Sequence, residues 1–161
     1  MPVAVPAQPD ELTAEWVSGA LSEGGLPDAH VSGVTSEQIA EGVGFIGQIH
    51  RLTLEYGSAP QGAPQSLIAK MPTNEPGGRA MGSMMQLYEK EHGFYKHLAS
   101  ECPVPTPQCF YNGVDRETGD YCLLLEDLGA MWPGDQLRAL PLDETREMLS
   151  IMARIHATWS D

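Results

Sequence analysis

Residues 41–49 read Glu41-Gly42-Val43-Gly44-Phe45-Ile46-Gly47-Gln48-Ile49. The glycine spacing, G-x-G-x-x-G, serves two unrelated phosphate-binding devices. In the dinucleotide-binding turn a strand leads in and a helix leads out. In the other device both flanks are strands, and the loop closes over a nucleotide as a flap. The residues that follow decide between them. From position 48 the chain runs QIHRLTLEY, which sets His50, Leu52, Leu54 and Tyr56 on one face and Ile49, Arg51, Thr53 and Glu55 on the other. Period two, with Thr53 among aliphatics, predicts a strand. The loop therefore sits in a hairpin, which disfavours a dinucleotide-binding oxidoreductase. Ile49 also stands where the flap type of loop carries a branched apolar residue. A glycine-rich hairpin turn that binds nothing has the same pattern, so the spacing alone carries no function.

Outward from this hairpin, residues 1–9 are rich in Pro and Ala and read as a loose arm. Residues 10–23 carry Leu12, Trp16, Val17, Ala20 and Leu21 at helical spacing, and Gly24-Gly25 stops the helix. On the other side, 57–65 (GSAPQGAPQ) is a connector. SLIAKM at 66–71 is a short apolar strand carrying Lys70 and closed by Pro72. TNEPGGRA at 73–80 reads as a flexible loop. Residues 81–100 form one predicted helix, with Met84, Tyr88, Tyr95 and Leu98 on its apolar stripe. CPVPTP at 102–107 must be extended, because closely spaced prolines do not fit a helix interior. Two further strands are predicted over 108–114 and 121–128, then a linker (GAMWPGD) and an amphipathic helix over 143–160.

Composition narrows the classes of partner. The 161 residues suit one domain, with 42% hydrophobic and 19% charged side chains. A net charge of −13 argues against nucleic acid and against an anionic membrane surface, both of which need basic patches. A small anionic ligand stays open, since a local lysine and backbone N–H groups can outweigh the global field. The three cysteines (Cys102, Cys109, Cys122) form no C-x-x-C pair, so neither a disulfide framework nor a zinc site is expected, and a reducing cytoplasm is the natural compartment. The N-terminal residues lack a basic and apolar leader pattern. The longest strongly apolar run, YCLLL at 121–125, is far too short to span a bilayer.

One carboxylate is out of place. Advancing about 100° per residue from Met84 puts Tyr88, Tyr95 and Leu98 within about 40° of it, and Glu91 falls at about −20°, inside the apolar stripe. A lone buried carboxylate costs several kcal/mol unless a cation meets it. Lys70, itself odd at the end of an apolar strand, is the best candidate. Two plainer readings remain: Glu91 at a helix edge in water, and Lys70 snorkelling from a strand end.

Taken in order, the glycine hairpin, LIAK (67–70), EKEHGFYKHLA (89–99), CPVPTP (102–107) and LLLEDLG (123–129) resemble the small-molecule kinases of the aminoglycoside phosphotransferase, choline-kinase-like and ecdysteroid-kinase-like type. MARIHATWSD (152–161) is similar to a helix that follows in that family. The resemblance implies an α+β fold, the N-terminal lobe of a protein-kinase-like domain. Such a lobe is an antiparallel sheet of about five strands with a packed helix, here with an N-terminal helix added. On this reading residues 1–9 are an arm, 10–128 the lobe, and 129–161 a linker and the first helix of an incomplete C-terminal lobe.

The resemblance also implies a site. ATP would bind beneath the sheet, with Gly42, Gly44 and Gly47 letting backbone N–H groups approach its phosphates. Lys70 would contact phosphate oxygens and Glu91 would hold it. Ile49 would roof the adenine, with Ile68 beside it. Residues 125–128 would be the hinge, where backbone groups of Glu126 and Leu128 bond the adenine edge, while the Glu126 and Asp127 side chains fix its geometry.

Phosphoryl transfer further needs a carboxylate to orient the acceptor and ligands for Mg²⁺. The family takes these from an H-x-D loop and a later Asp motif. No histidine here is followed two residues later by Asp, and neither D-F-G nor D-x-D occurs. The expectation is therefore a partial ATP-dependent kinase of small-molecule hydroxyls, inactive by itself, without catalytic or metal-binding residues of its own. Mg²⁺ would be held by the absent lobe. The alternative is a non-catalytic nucleotide-binding or dimerisation module, in which a homodimer covers the lobe-facing surface.

Overall fold

The structure, a computed structural model, describes residues 3–39, 45–129, 131 and 137–160. Five strands form one antiparallel sheet: β1 (His30–Ile39), β2 (Gly47–Ser58), β3 (Ser66–Pro72), β4 (Cys109–Asp115) and β5 (Asp120–Glu126). Their spatial order is β1-β2-β3-β5-β4. The strand that follows the glycines (β2), the strand that carries Lys70 (β3) and β5 thus lie side by side, and the fold is the α+β kinase-like lobe expected.

Period two settles which side chains share a face. Leu52, Leu54, Leu67, Ala69, Met71, Cys122 and Leu124 point one way and are buried with Val17, Ala20 and Leu21 of α1 (Ala14–Glu23). The Thr13 side chain accepts a hydrogen bond from the Trp16 N–H and so starts that helix. Gly24 ends it at a point where a Cβ would stand 2.3 Å from the Phe110 carbonyl oxygen. Only glycine lets α1 lie that close to β4. On the opposite face, Tyr121, Leu123 and Leu125 form a smaller cluster with Tyr88, and α3 (Leu87–His97) covers it.

Two expectations need correction. Residues 73–80 are not a loop throughout, because α2 (Pro76–Met84) starts inside them. Pro76 sits in the first turn, where its missing N–H is not needed. Gly78 and Gly82 mark close approach rather than looseness: a Cβ would come within 2.2 Å of the Phe45 carbonyl oxygen at one and 2.5 Å of the Tyr88 hydroxyl at the other. Nor is 81–100 one helix. Gln86 adopts a left-handed conformation (φ 54°), which breaks the rod into α2 and α3. Met84 consequently leaves the apolar stripe and is 78% exposed, and in α3 only Tyr88 is buried. The last helix, α4 (Leu142–Thr158), buries none of its residues.

Candidate active site

Lys70 and Glu91 meet. The antiparallel register places Lys70 opposite Ile49 on β2 and opposite Leu123 on β5, so it stands on the α3 face. Glu91, one turn beyond Tyr88 on α3, turns its carboxylate to that row, and the lysine ammonium donates to Glu91 Oε1. The two side chains are 32% and 33% exposed, so the pair lies at the rim of the apolar cluster rather than in a core. Full burial of Glu91 in a continuous stripe does not occur, because the break at Gln86 removes half of that stripe. A rim position keeps the ammonium reachable from solvent, which a ligand-binding lysine requires.

Beside the pair is a cavity of about 190 Å³, lined by Ile46, Gly47, Ile49, Lys70, Glu91 and Tyr121 among others. Gly47 opens β2, and a Cβ there would stand 3.3 Å from the Met71 carbonyl oxygen. The Tyr88 hydroxyl donates to the Ile46 carbonyl and ties α3 to the end of the glycine loop. Gly42 and Gly44 lie outside the described residues. Ile68 shares the face of Ile49 and Lys70 but packs into the Tyr88–Tyr121–Leu123–Leu125 cluster instead of lining the cavity.

At the expected hinge, the Glu126 N–H donates to the Gln108 carbonyl (2.8 Å), and Glu126 Oε2 accepts from the Gln108 N–H (3.1 Å). The Leu128 carbonyl accepts from the Met131 N–H at 2.7 Å. These three groups are thus engaged within the protein. Asp127 is the anchor of the segment. Its carboxylate takes Arg51 Nε at 2.9 Å, the Ser66 hydroxyl at 2.8 Å and the Gly129 N–H at 2.9 Å. Burial by itself would push this carboxyl up, but the bonds from Ser66, Arg51 and Gly129 outweigh it and leave the pKa below the ordinary 3.8. Asp120, at the start of β5, is held down likewise: burial opposes, but bonds from Thr118 and Arg79 prevail, the latter at 2.6 Å.

Sequence reasoning placed Asp127 at the hinge but missed its partners. Period two sets Arg51 on the face of Ile49, but only the register of β2 against β3 shows that this is also the face of Lys70. It also missed Tyr121, whose hydroxyl is buried in this neighbourhood without a hydrogen-bond partner among the described residues.

The chemistry available is that of an aimed ammonium beside a small cavity, roofed by a strand and tied to a glycine loop. For a divalent cation the described residues do not fit: no group of three or more His, Cys, Asp or Glu side chains among them converges as ligands. Among the same residues no helix is long and apolar enough to cross a membrane. No curated protein and no solved structure matches the chain. A model of the ecdysteroid kinase-like family matches residues 41–159, from the glycine loop through α4, with α1 and β1 ahead of the match. Membership there suggests kinase-like phosphoryl transfer to small molecules in general, and a match over this much of the sequence shows that the chain belongs to the ecdysteroid kinase-like family.

Proposed function

We propose that the chain is the ATP-binding part of a phosphotransferase that moves the γ-phosphoryl group of ATP to a hydroxyl of a small molecule. The observation that carries this is the Lys70–Glu91 pair on the sheet face next to the glycine loop. A strand lysine held by a helix carboxylate keeps its ammonium extended toward the place where α- and β-phosphates would lie. Ile49 offers an apolar roof for adenine; in the segment fixed by Asp127 the Glu126 N–H and the Leu128 carbonyl are engaged within the protein, so the Glu126 carbonyl and the Leu128 N–H would be the groups to meet its edge. Backbone N–H groups around Gly42, Gly44 and Gly47 would approach the phosphates. ATP would bring the phosphoryl group and its leaving group. The part of this chain is to hold, orient and neutralise the donor. No step is assigned to Mg²⁺, and none of the described residues is placed as the base for the acceptor hydroxyl.

Titration of the purified chain with ATP tests the proposal. Binding is expected in the wild type and should be weakened at least about tenfold in Lys70→Met, close to 1.4 kcal/mol. Equal affinity in the two proteins would refute it. Turnover is not expected from the chain alone, so ATP-dependent phosphorylation of a small alcohol by the 161-residue protein would contradict the division of labour proposed here.

One observation favours a second reading, a nucleotide-binding module that dimerises without catalysis. Leu142, Met148, Leu149, Met152 and Trp159 of the last helix and its end are exposed, and apolar side chains at helical spacing are rarely left in water. Gel filtration over a range of concentrations separates the two: a discrete dimer supports the module, and a monomer that binds ATP supports the kinase part.

A further inference from the structure

Where the glycine loop enters β2, one carbonyl is held twice. The Ile46 carbonyl, immediately before Gly47, accepts from the Thr73 N–H at 3.1 Å and from the Tyr88 hydroxyl. The first bond extends the ladder between β2 and β3 past its last pair, Gly47 with Pro72. The second comes from α3, outside the sheet. Beside it, the Phe45 carbonyl lies against Gly78 of α2, where only glycine leaves room.

Tyr88 is fixed for this bond. It is 7% exposed, and its ring stacks on that of Tyr121 at 5.8 Å and 28°. Its oxygen lies against Gly82 of α2, where a Cβ would stand 2.5 Å away. Burial raises the phenol pKa, with Arg79 and the Thr73 N–H acting against the rise. The hydroxyl thus keeps its proton at neutral pH and donates it.

Its place in the helix matters as much. Tyr88 is the second residue of α3, whose start has no side-chain cap and follows the left-handed Gln86. Helix ends without a cap fray. Three residues on, on the same side of the helix, Glu91 holds Lys70. One hydroxyl therefore fastens the end of the glycine loop to the turn of helix that aims the lysine.

We propose that Tyr88 is a positioning residue for phosphate binding: its hydroxyl keeps the end of the glycine loop and the start of α3 in one fixed relation, so that loop amides and the Lys70 ammonium, still held by Glu91, meet the same anion. The identity of that anion, the triphosphate of ATP, rests on the nucleotide reading above. The tie between loop and helix does not.

Tyr88→Phe keeps the ring and the stack and removes only the donor. Titration with ATP and with adenosine, which lacks the phosphates, separates positioning from general damage. ATP binding should weaken about 3–10-fold, the loss of one hydrogen bond, while adenosine affinity changes by less than about twofold. Equal losses for both ligands, or no loss for ATP, overturn the proposal. Amide hydrogen exchange of the ligand-free protein gives a readout that needs no nucleotide. In Tyr88→Phe the Thr73 amide should exchange about 3–10-fold faster, while the amides of β5 keep their wild-type rates and show that the fold is intact. Unchanged exchange at Thr73 overturns the tie. A wild-type chain that binds no ATP refutes the nucleotide reading instead, and the exchange rates then decide whether Tyr88 fastens the loop.

Discussion

Along β3 the two faces of the sheet alternate residue by residue. Leu67, Ala69 and Met71 face α1 and are buried in the larger cluster. Ser66, Ile68 and Lys70 face α3. There Ser66 reaches Asp127, Ile68 packs against the tyrosines and Lys70 pairs with Glu91. One face is a mostly apolar contact between sheet and helix. The other interleaves two cations with a small aromatic cluster and leaves both cations partly accessible. The difference teaches that stability and chemistry are carried by adjacent residues of the same strand without sharing a side. Mutations one position apart should therefore act on different properties.

The largest effect is expected on the α1 face. Leu124 is fully buried, and Leu124→Ala should cost about 2–5 kcal/mol of unfolding free energy through lost transfer energy and a residual cavity. Chemical denaturation measures it. ATP affinity of the molecules that remain folded should be unchanged. A Leu124→Ala protein of normal stability with impaired binding would break the separation of faces.

Next is Asp127, the anchor of residues 126–129. Asp127→Asn removes the charge that receives Arg51 and Ser66, and hydrogen bonds to a charged group contribute about 1.5–3 kcal/mol. The loss should fall within that range on denaturation. Because the folded pKa of Asp127 is below its ordinary 3.8, its contribution is present above that pH. It is lost as pH falls through the folded value. Wild type should therefore lose stability in strong acid more steeply than Asp127→Asn. Parallel acid profiles would mean that Arg51 and Asp127 are not paired in solution.

Much of this arrangement was legible in the sequence because it follows from periodicity. The alternation after Gly47 gave β2 and the hairpin, and the displaced Glu91 and Lys70 pointed to each other by charge. What could not be read depends on contacts between distant segments. Gly78 looked like a loop residue and Gly82 like any position of a helix, since a sequence does not show that Phe45 and Tyr88 occupy the space a Cβ would need. The left-handed Gln86 has no local signature, and it changed which side chains share a stripe with Glu91. The partner of Arg51 lies 76 residues away along the chain, beyond any periodic pattern.

Smaller in stability is Lys70→Met. The ion pair is about one-third exposed, and pairs open to solvent contribute about 0–1 kcal/mol. The variant should therefore unfold within about 1 kcal/mol of wild type while losing nucleotide affinity. This is the inverse of Leu124→Ala, and the two together form the sharpest test of the comparison. A Lys70→Met protein destabilised as much as Leu124→Ala would make the pair structural.

The smallest effect belongs to a polar site on the α1 face. His50 and Gln48 are buried there, beside the hairpin. Gln48 Nε2 donates to the Pro72 carbonyl at 2.9 Å, which leaves Gln48 Oε1 to accept from His50 Nε2 at 3.3 Å. His50 Nδ1 then accepts the Ser36 hydroxyl at 3.2 Å. The strand neighbours opposite His50 are Gln38 and Ala69, neither of them charged. Burial lowers the imidazole pKa from its ordinary 6.5, so the unfolded chain takes up this proton before the folded one does. Stability from the neutral ring is complete above about pH 6.5 and declines as pH falls from there toward the lowered folded value. The decline should be shallow, because the Ser36 oxygen can turn to accept from a protonated Nδ1, leaving only desolvation to oppose the charge. Tm measured between pH 7.5 and 5 should fall in wild type and stay flatter in His50→Gln. Identical profiles would mean that water reaches His50.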